Sequence, residues 1–292
     1  MRSFKDINPF VQIFYFAAAA GTVMLSRNPA LSALACAASL AVRIIRKKDG
    51  ALRAVFFNIA VITASALINI VFSHNGRTVL VFVNDTPITL EALAYGAFTG
   101  AAIAAVLNIT SVFTDVMTSD RLLYIFGRLS PKTALLLSMT LGAVPRLIRR
   151  TREVSDAQRV SGGTGDDSIP DRLRTGARVA SIMLTWSFET GIVTADSMTA
   201  RGFGTCRRTA FSTFRFRRSD ACLTAAVAAL TALCTLPAAL GALDFEFYPS
   251  AAALPLSPAA ITAYCAYTAL ILLPTILDTA ETIKWKYLLS KI

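Results

Sequence analysis

The chain has 292 residues, of which 54% are hydrophobic and 16% are charged. Soluble globular domains have about 45–50% apolar residues even when glycine is counted, so the composition excludes an ordinary soluble domain and indicates a polytopic membrane protein. The formal net charge is +11, and with so few charged residues the positive charge must be concentrated in a few segments.

Six apolar runs are long enough, alone or with tilt, to cross a hydrocarbon layer of about 30 Å, which needs about 20 helical residues. We expect each run to form a helix, and the first two, which are short, to form a tight helical hairpin. The first run is expected to be a span rather than a signal peptide, because a second apolar run follows at once. The runs are Phe10–Leu25, Pro29–Ile45, Ala54–Ser73, Leu90–Met117, Ala221–Leu240 and Ala259–Leu277.

The basic residues fall on one predicted side of the membrane. If the N-terminus is cytoplasmic, alternation of six spans places 27 of the 29 Lys and Arg residues on the cytoplasmic side and leaves Arg27 and Arg77 opposite. This asymmetry follows the positive-inside rule, so both termini are expected to be cytoplasmic. We expect no nucleic-acid partner, because the basic, aromatic stretch FSTFRFRRSD directly precedes a span, where interfacial aromatics and snorkelling arginines are common.

Two long helices are predicted between the fourth and fifth spans, and neither is apolar enough to cross a membrane comfortably. The first begins at Ser130-Pro131, an N-cap followed by proline at the first helical position, and ends near Gly162. The second runs from about Ile169 to Gly202 and has one apolar and one charged face. We therefore predict a pair of amphipathic helices outside the spans.

Arg201 stands at the edge of the apolar side of the second helix, and Gly202 suits the left-handed position that ends a helix. Burying this charge without a partner would cost several kcal/mol. Two interpretations stay open: the arginine snorkels past the apolar stripe into water or lipid headgroups, or it reaches from the helix tip into a groove of another protein. The residue pattern alone favours the first.

No motif in the chain indicates a catalytic, cofactor or metal site. The five cysteines show no C-x-x-C spacing, and His74, the only histidine, has no cysteine or histidine companion. No P-loop motif occurs either, so the chain is not expected to bind ATP or Mg²⁺ itself.

An ordered series of short motifs covers nearly the whole chain. It begins with Asn8-Pro9 and Asn28-Pro29 and continues through HNGRTVLVF, ITLEALAYG, DRLLYIFGRLSPKTALLLSMTLGAVPRL, Ala157-Gln158 and MTARGFG. An Ala-Arg-Gly triplet alone would mean little, whereas the ordered series is specific. By this series the chain resembles the transmembrane T component of energy-coupling factor (ECF) importers, the EcfT/CbiQ family.

The resemblance implies an all-α polytopic membrane protein with about six transmembrane helices plus two long cytoplasmic amphipathic coupling helices. Each coupling helix of that family ends in an Ala-Arg-Gly type motif that docks on ABC-type ATPase subunits. Residues Ala200-Arg201-Gly202 match the second motif completely. The first motif falls on Val160-Ser161-Gly162, so Ser161 stands where the family has arginine, and Arg159 is the nearby basic candidate.

The function implied by the resemblance is that of a non-catalytic energy-coupling subunit in the bacterial cell membrane. It would pass the motion of two ATPase subunits, which bind ATP and Mg²⁺, to a small membrane subunit that binds a vitamin or a transition-metal ion. Docking candidates for that substrate-binding subunit are Met183 and Trp186, and a small-residue ridge on the fourth span. The ridge consists of Gly96, Gly100 and Ala104; packing within the chain is the alternative role for it.

Two other functions are weighed from the sequence. A membrane enzyme acting on lipid-linked substrates would need a set of catalytic residues near the interface. Asp115 and Asp120 lie close to the end of the fourth span, but the sequence offers no metal-ligand set or catalytic partner for them. A self-contained secondary transporter would need ionisable residues within the spans, which carry almost none.

The predicted division is residues 1–118 for the N-terminal spans, 119–219 for the coupling-helix region, and 220–292 for the C-terminal spans and tail.

Overall fold

The computed structural model describes residues 4, 7–26, 28–46, 50–73, 76–83, 86–161, 169–205, 214, 216–245, 247, 255 and 257–289. Arg27, His74 and Gly162, which the sequence analysis singles out, lie outside these residues. The chain divides into two compact units. The first comprises Met1–Arg121 and Phe214–Ile292, and the second comprises Leu122–Thr213.

In its described residues the first unit contains six apolar helices, so the predicted helical membrane fold is confirmed. Five of them are long and apolar enough to cross a membrane, whereas the first is an apolar helix of 17 residues. The last helix runs 12 residues beyond the predicted end of its apolar run. The helices are α1 (Pro9–Leu25), α2 (Pro29–Arg46), α3 (Ala51–Phe72), α4 (Leu90–Val116), α8 (Arg218–Ala239) and α9 (Pro258–Leu289).

The two Asn-Pro pairs start the first two helices for a local chemical reason. The side-chain oxygen of Asn8 accepts a hydrogen bond from the amide of Phe10 at 3.1 Å, and that of Asn28 accepts one from the amide of Ala30 at 2.9 Å. The proline that follows each asparagine has no N–H to leave unpaired in the first helical turn. Each pair is therefore a helix start, which fixes where the chain enters α1 and α2.

Reciprocal tyrosine hydrogen bonds hold α1 against α9. The Tyr15 hydroxyl donates to the carbonyl oxygen of Ile271 at 3.2 Å, and the Tyr267 hydroxyl donates to that of Ala19 at 3.1 Å. Both tyrosines are buried in the main apolar core. Because a buried hydroxyl without a partner is costly, these two bonds help to fix the register between the helices.

A buried polar cluster joins α2, α3 and α4. The Asn58 and Asn108 side chains exchange hydrogen bonds at 2.8 and 3.3 Å, and a guanidinium nitrogen of Arg43 donates to Oδ1 of Asn108 at 2.9 Å. Asn108 is fully buried. The side-chain amide of Asn108 therefore supplies hydrogen-bond partners to side chains of two other helices, Arg43 of α2 and Asn58 of α3.

A short antiparallel hairpin, which the sequence analysis did not anticipate, precedes α4. Strands β1 (Val79–Val83) and β2 (Thr86–Thr89) pair with Val83 opposite Thr86 and Val79 opposite Thr89, with an irregularity in register between Val79 and Val81. Thr89 then acts as the N-cap of α4, its hydroxyl accepting from the amide of Ala92 at 3.4 Å. The hairpin thus leads directly into the first turn of a spanning helix.

The helical part of the second unit consists of two long helices and most of a shorter one. The shorter helix, α5 (Ser119–Leu129), begins in the first unit, and α6 (Pro131–Val160) and α7 (Ile169–Ala200) follow it. Ser130 is the N-cap residue of α6 and Pro131 is its first helical residue, although the Ser130 side chain makes no capping bond. The two predicted non-spanning helices are present with nearly the predicted ends, whereas the predicted three-part division by role stays a prediction.

Candidate functional site

The α7 tip, defined as residues Ala200 to Phe203, ends the helix in a Schellman arrangement. Gly202 has a φ of +79°, its amide donates to the carbonyl of Thr199 at 2.9 Å, and the amide of Phe203 donates to that of Met198 at 3.0 Å. This pair of bonds requires a left-handed residue at the first position beyond the cap, which glycine adopts without steric cost. The expected C′ role of Gly202 is therefore confirmed.

Arg201 is exposed at this tip. Its backbone still belongs to the helix ladder, since its amide donates to the carbonyl of Ser197 at 3.2 Å. The guanidinium is thus carried by the last residue before the chain reverses direction at Gly202. Such a terminus presents a planar, permanently charged group from a rigid helix end, which suits recognition of carboxylates or carbonyl groups.

The end of α6 is built differently. Arg159 and Val160 are helical and exposed, and the amide of Ser161 donates to the carbonyl of Ala157 at 3.0 Å. Because the helix continues through Arg159, its side chain leaves the axis about 200° away from position 161. The two helix ends therefore present their arginines in different ways, and Gly162 of the first motif lies outside the described residues.

A cation–π contact links the two long helices inside the second unit. The guanidinium carbon of Arg150 lies 5.9 Å from the centre of the Trp186 ring, and Arg150 also pairs with Glu153 at 2.8 Å. Trp186 is half-buried, and Met183 is only 9% exposed. Met183 and Trp186 were predicted from the sequence as docking candidates for the substrate-binding subunit. In the structure Trp186 already has a partner from α6, and Met183 has little exposed surface.

An apolar stripe on α7 that the sequence analysis missed is far more exposed. Leu184, Phe188 and Ile192 recur every four residues, which places them along one side of the helix, and they are 59%, 72% and 63% exposed. The same spacing is visible in the sequence, from which only Met183 and Trp186 were predicted as docking candidates on this helix. We call these three residues the α7 stripe.

The small-residue ridge of α4 is taken up by a contact inside the first unit. A Cβ atom on Gly96 would lie 2.8 Å from Cα of Ala66, and one on Gly100 would lie 2.9 Å from Cα of Ile62. Ala104, one turn further, is fully buried. The ridge faces α3 and offers no surface to a partner while α3 is in place, so its role in this structure is the intramolecular packing that was the alternative.

Within the described ranges, no group of three or more His, Cys, Asp or Glu residues could hold a metal ion. Asp115 and Asp120, the acidic pair considered from the sequence, lie near the end of α4 and in the first turn of α5. The exposed features described in the second unit are the two helix ends and the α7 stripe, and features of this kind suit contacts between proteins.

The comparison with protein families agrees with the architecture. The family described as cobalt transport protein, CbiQ, matches residues 2–212, which include α1 to α7 and the hairpin. No curated protein matches the chain. The chain is a multi-pass membrane protein of a transport family, and it belongs to the cobalt transport protein family CbiQ.

Proposed function

We propose that the chain is the transmembrane energy-coupling subunit of an ECF-type ABC importer. It carries no catalytic step of its own: two separate ABC-type ATPase subunits bind ATP and Mg²⁺, and a small membrane subunit binds the cargo. Membership in the cobalt transport family supports a transition-metal ion as cargo, and a vitamin stays an alternative because specificity would belong to the substrate-binding subunit.

The observation that carries this proposal is the α7 tip. Arg201 is exposed at a helix end locked by the Schellman bonds of Gly202, so it can enter an acidic or carbonyl-lined groove of an ATPase without first ordering the backbone. The α6 end, with Arg159 and Ser161 exposed, is proposed to meet the second ATPase. Because Ser161 cannot form the bidentate ion pair of an arginine, that contact is expected to be the weaker of the two.

Two features favour transmission of force along the second unit. Helices α6 and α7 have 30 and 32 residues, so these two rods follow helical paths about 45–48 Å long at 1.5 Å per residue. Pro145 inside α6 lacks the amide of one ladder bond and is the point where that rod bends most easily. The contact of Arg150 with Trp186 ties the rods together between their ends. Closure of the ATPases on ATP would then displace both tips as a packed pair, a rigid-body type of motion.

The substrate-binding subunit is proposed to dock on the second unit through the α7 stripe. Phe188 is 72% exposed at its centre, and contiguous exposed apolar residues are typical of docking surfaces. Met183 and Trp186 border this surface as its less accessible part. We place the complex in the bacterial cell membrane with both chain termini cytoplasmic, as the distribution of basic residues favours.

The experiment that tests the proposal compares two charge reversals on the same helix. Arg201→Glu is expected to abolish co-purification of the ATPases and ATP-driven uptake, because an acidic groove would then face a carboxylate. Losing a desolvated charge pair costs about 2–5 kcal/mol of binding free energy, which lowers the affinity at least about thirtyfold. Arg174→Glu, at an exposed position in the first turns of α7, is the matched control and should retain both. Normal assembly and uptake with Arg201→Glu would refute the proposal.

A further inference from the structure

The joint between α4 and α5 is short. Helix α4 ends at Val116, and only Met117 and Thr118 separate it from Ser119, where α5 begins. Met117 adopts an extended conformation, and its amide closes the last turn of α4 by donating to the carbonyl of Phe113 at 2.8 Å. Two residues outside the helices leave four soft backbone dihedrals, although the amide of Arg121 closes the first turn of α5 by donating to the carbonyl of Thr118 at 3.0 Å. Side-chain contacts are therefore needed to hold this first turn against the end of α4.

Arg121 supplies contacts across this joint. One of its terminal nitrogens donates to the carbonyl oxygen of Val116 at 2.7 Å and to Oε1 of Gln12 at 3.0 Å. The first bond brings a positive charge to the C-terminal end of α4, where the helix dipole favours it. The second reaches α1, 109 residues away in sequence. A single guanidinium in the first turn of α5 thus connects α5 to both α4 and α1.

The network continues from Gln12 to two more helices. Gln12 is fully buried, and its Nε2 donates to the carbonyl of Phe4 at 2.6 Å. The amide of Phe4 donates to Oδ1 of Asp278 at 2.9 Å, and Oδ2 of Asp278 pairs with Arg46 at 2.7 Å. The Arg46 guanidinium also lies 5.3 Å from the centre of the buried Phe4 ring. We call these four residues together with Arg121 the joint network; it links α1, α2, α5 and α9.

We propose that Arg121 is a positioning residue that holds the first turn of α5 to the C-terminal end of α4 and passes displacement of this turn to α1 and α9 through Gln12. The role in transport rests on the proposed function, whereas the stiffness of the joint is a property of the chain itself. Without Arg121, the joint would bend when α5 is displaced, and the motion would be lost there. Gln12 is the essential link, because its two amide atoms serve Arg121 and Phe4 at the same time.

Hydrogen exchange of the full-length chain tests the stiffness directly. In the wild type, peptides covering residues 113–125 should be protected. Arg121→Ala should speed their exchange at least about tenfold, which corresponds to about 1.4 kcal/mol of local opening energy. Gln12→Met should speed exchange in the same peptides, although the substitution is remote in sequence. A loss of helix propensity at position 121 cannot produce that remote effect.

Two further variants keep the test decisive. Gln12→Glu retains the acceptor for Arg121 but loses the donor to Phe4, so it should lose less protection than Gln12→Met. Asp120→Asn, at the exposed neighbouring position, should leave exchange unchanged. Arg121→Lys, a milder change if Arg121→Ala does not fold, should give a smaller increase because lysine has no planar fork. Unchanged exchange at residues 113–125 in Gln12→Met, or equal loss of protection in Gln12→Glu and Gln12→Met, overturns the proposal.

The assembled complex tests the role in transport. With Arg121→Ala, the ATPases should still co-purify and hydrolyse ATP, while ATP-driven uptake of radiolabelled Co²⁺ should fall at least about tenfold. Uptake at the wild-type level in a complex whose joint exchanges rapidly would overturn the transport role. Failure of the wild-type chain to bind ATPases would instead refute the proposed function, and the exchange result would stand without it.

Discussion

Replacing Gly100 by alanine should weaken the contact between α3 and α4. The new Cβ would lie 2.9 Å from Cα of Ile62 and from Cβ of Ser65, and 3.2 Å from the carbonyl oxygen of Ile62. Carbon atoms pack best about 3.5–4.0 Å apart, so α3 must move away by roughly 0.6–1 Å. Two of these three atoms belong to the backbone, so no change of rotamer relieves the clash with them.

The expected cost follows from two opposing effects. Overpacking of a well-packed contact costs about 1–3 kcal/mol, and alanine gains about 0.5–1 kcal/mol over glycine within a helix. We therefore expect Gly100→Ala to lower the free energy of unfolding by up to about 2.5 kcal/mol, and to be about 1–3 kcal/mol less stable than a helix variant with the same glycine-to-alanine gain and no clash. Gly96→Ala, whose Cβ would lie 2.8 Å from Cα of Ala66, should behave alike. The double variant should cost less than the sum, because one shift of α3 relieves both clashes.

The assay is denaturant unfolding of the purified chain in detergent, with Gly191→Ala as the matched control. Gly191 is also inside a helix, but a Cβ atom there would meet nothing within 4 Å, so this variant should be as stable as the wild type or more stable by up to about 1 kcal/mol. If Gly100→Ala is as stable as Gly191→Ala, the ridge does not hold α3, and it would be free to dock another subunit.

Three further substitutions probe the tip and the core. Gly202→Ala places a residue with a Cβ atom in the left-handed backbone conformation at φ +79°, which costs about 1–2 kcal/mol locally. The amides after position 202 should then exchange hydrogen faster, and unchanged exchange would contradict the Schellman end. Asn108→Leu removes the acceptor of Arg43 and the partner of Asn58 and should lower the free energy of unfolding by about 1–3 kcal/mol, whereas a neutral effect would show that water or lipid replaces these bonds. Tyr267→Phe deletes one interhelical hydrogen bond and should cost about 1 kcal/mol in the same unfolding assay; a larger loss would mean that the ring, and not only the hydroxyl, has shifted.

The positions of the apolar helices could be predicted because continuous apolar runs leave few alternatives. The run predicted as Leu90–Met117 forms the helix Leu90–Val116, and that predicted as Pro29–Ile45 forms Pro29–Arg46. The end of α7 was also predictable, since glycine directly after an amphipathic helix indicates a left-handed C′ residue. These features depend on local sequence alone.

Other features depend on contacts that a single sequence does not reveal. The extension of α9 to Leu289 passes through the charged residues that ended the predicted run. The hairpin had a signal in the β-branched run Val79–Val83 followed by polar residues, but strong helical neighbours obscured it. Periodicity found the ridge of Gly96 and Gly100 without identifying α3 as its partner, because spacing defines a face and not what covers it.

The joint network lay beyond sequence reasoning for the same reason. Asp278 lies 274 residues from Phe4 in the chain, and Phe4, Gln12 and Asp278 belong to no motif. Only the packed helices bring the Phe4 backbone between Gln12 and Asp278. Polar residues scattered through apolar segments pair across helices in this fold, and such pairing depends on which helices pack together.

Site-specific photocross-linking in the assembled complex measures most directly whether the α7 tip contacts an ATPase subunit. Benzoylphenylalanine in place of Phe203 substitutes one aromatic ring for another at the partly exposed end of the tip, and the same probe at Leu173, near the other end of α7, is the control. We expect an adduct with an ATPase subunit from position 203 and none from position 173. A complex that contains the ATPases but gives no ATPase adduct at position 203 would contradict this contact.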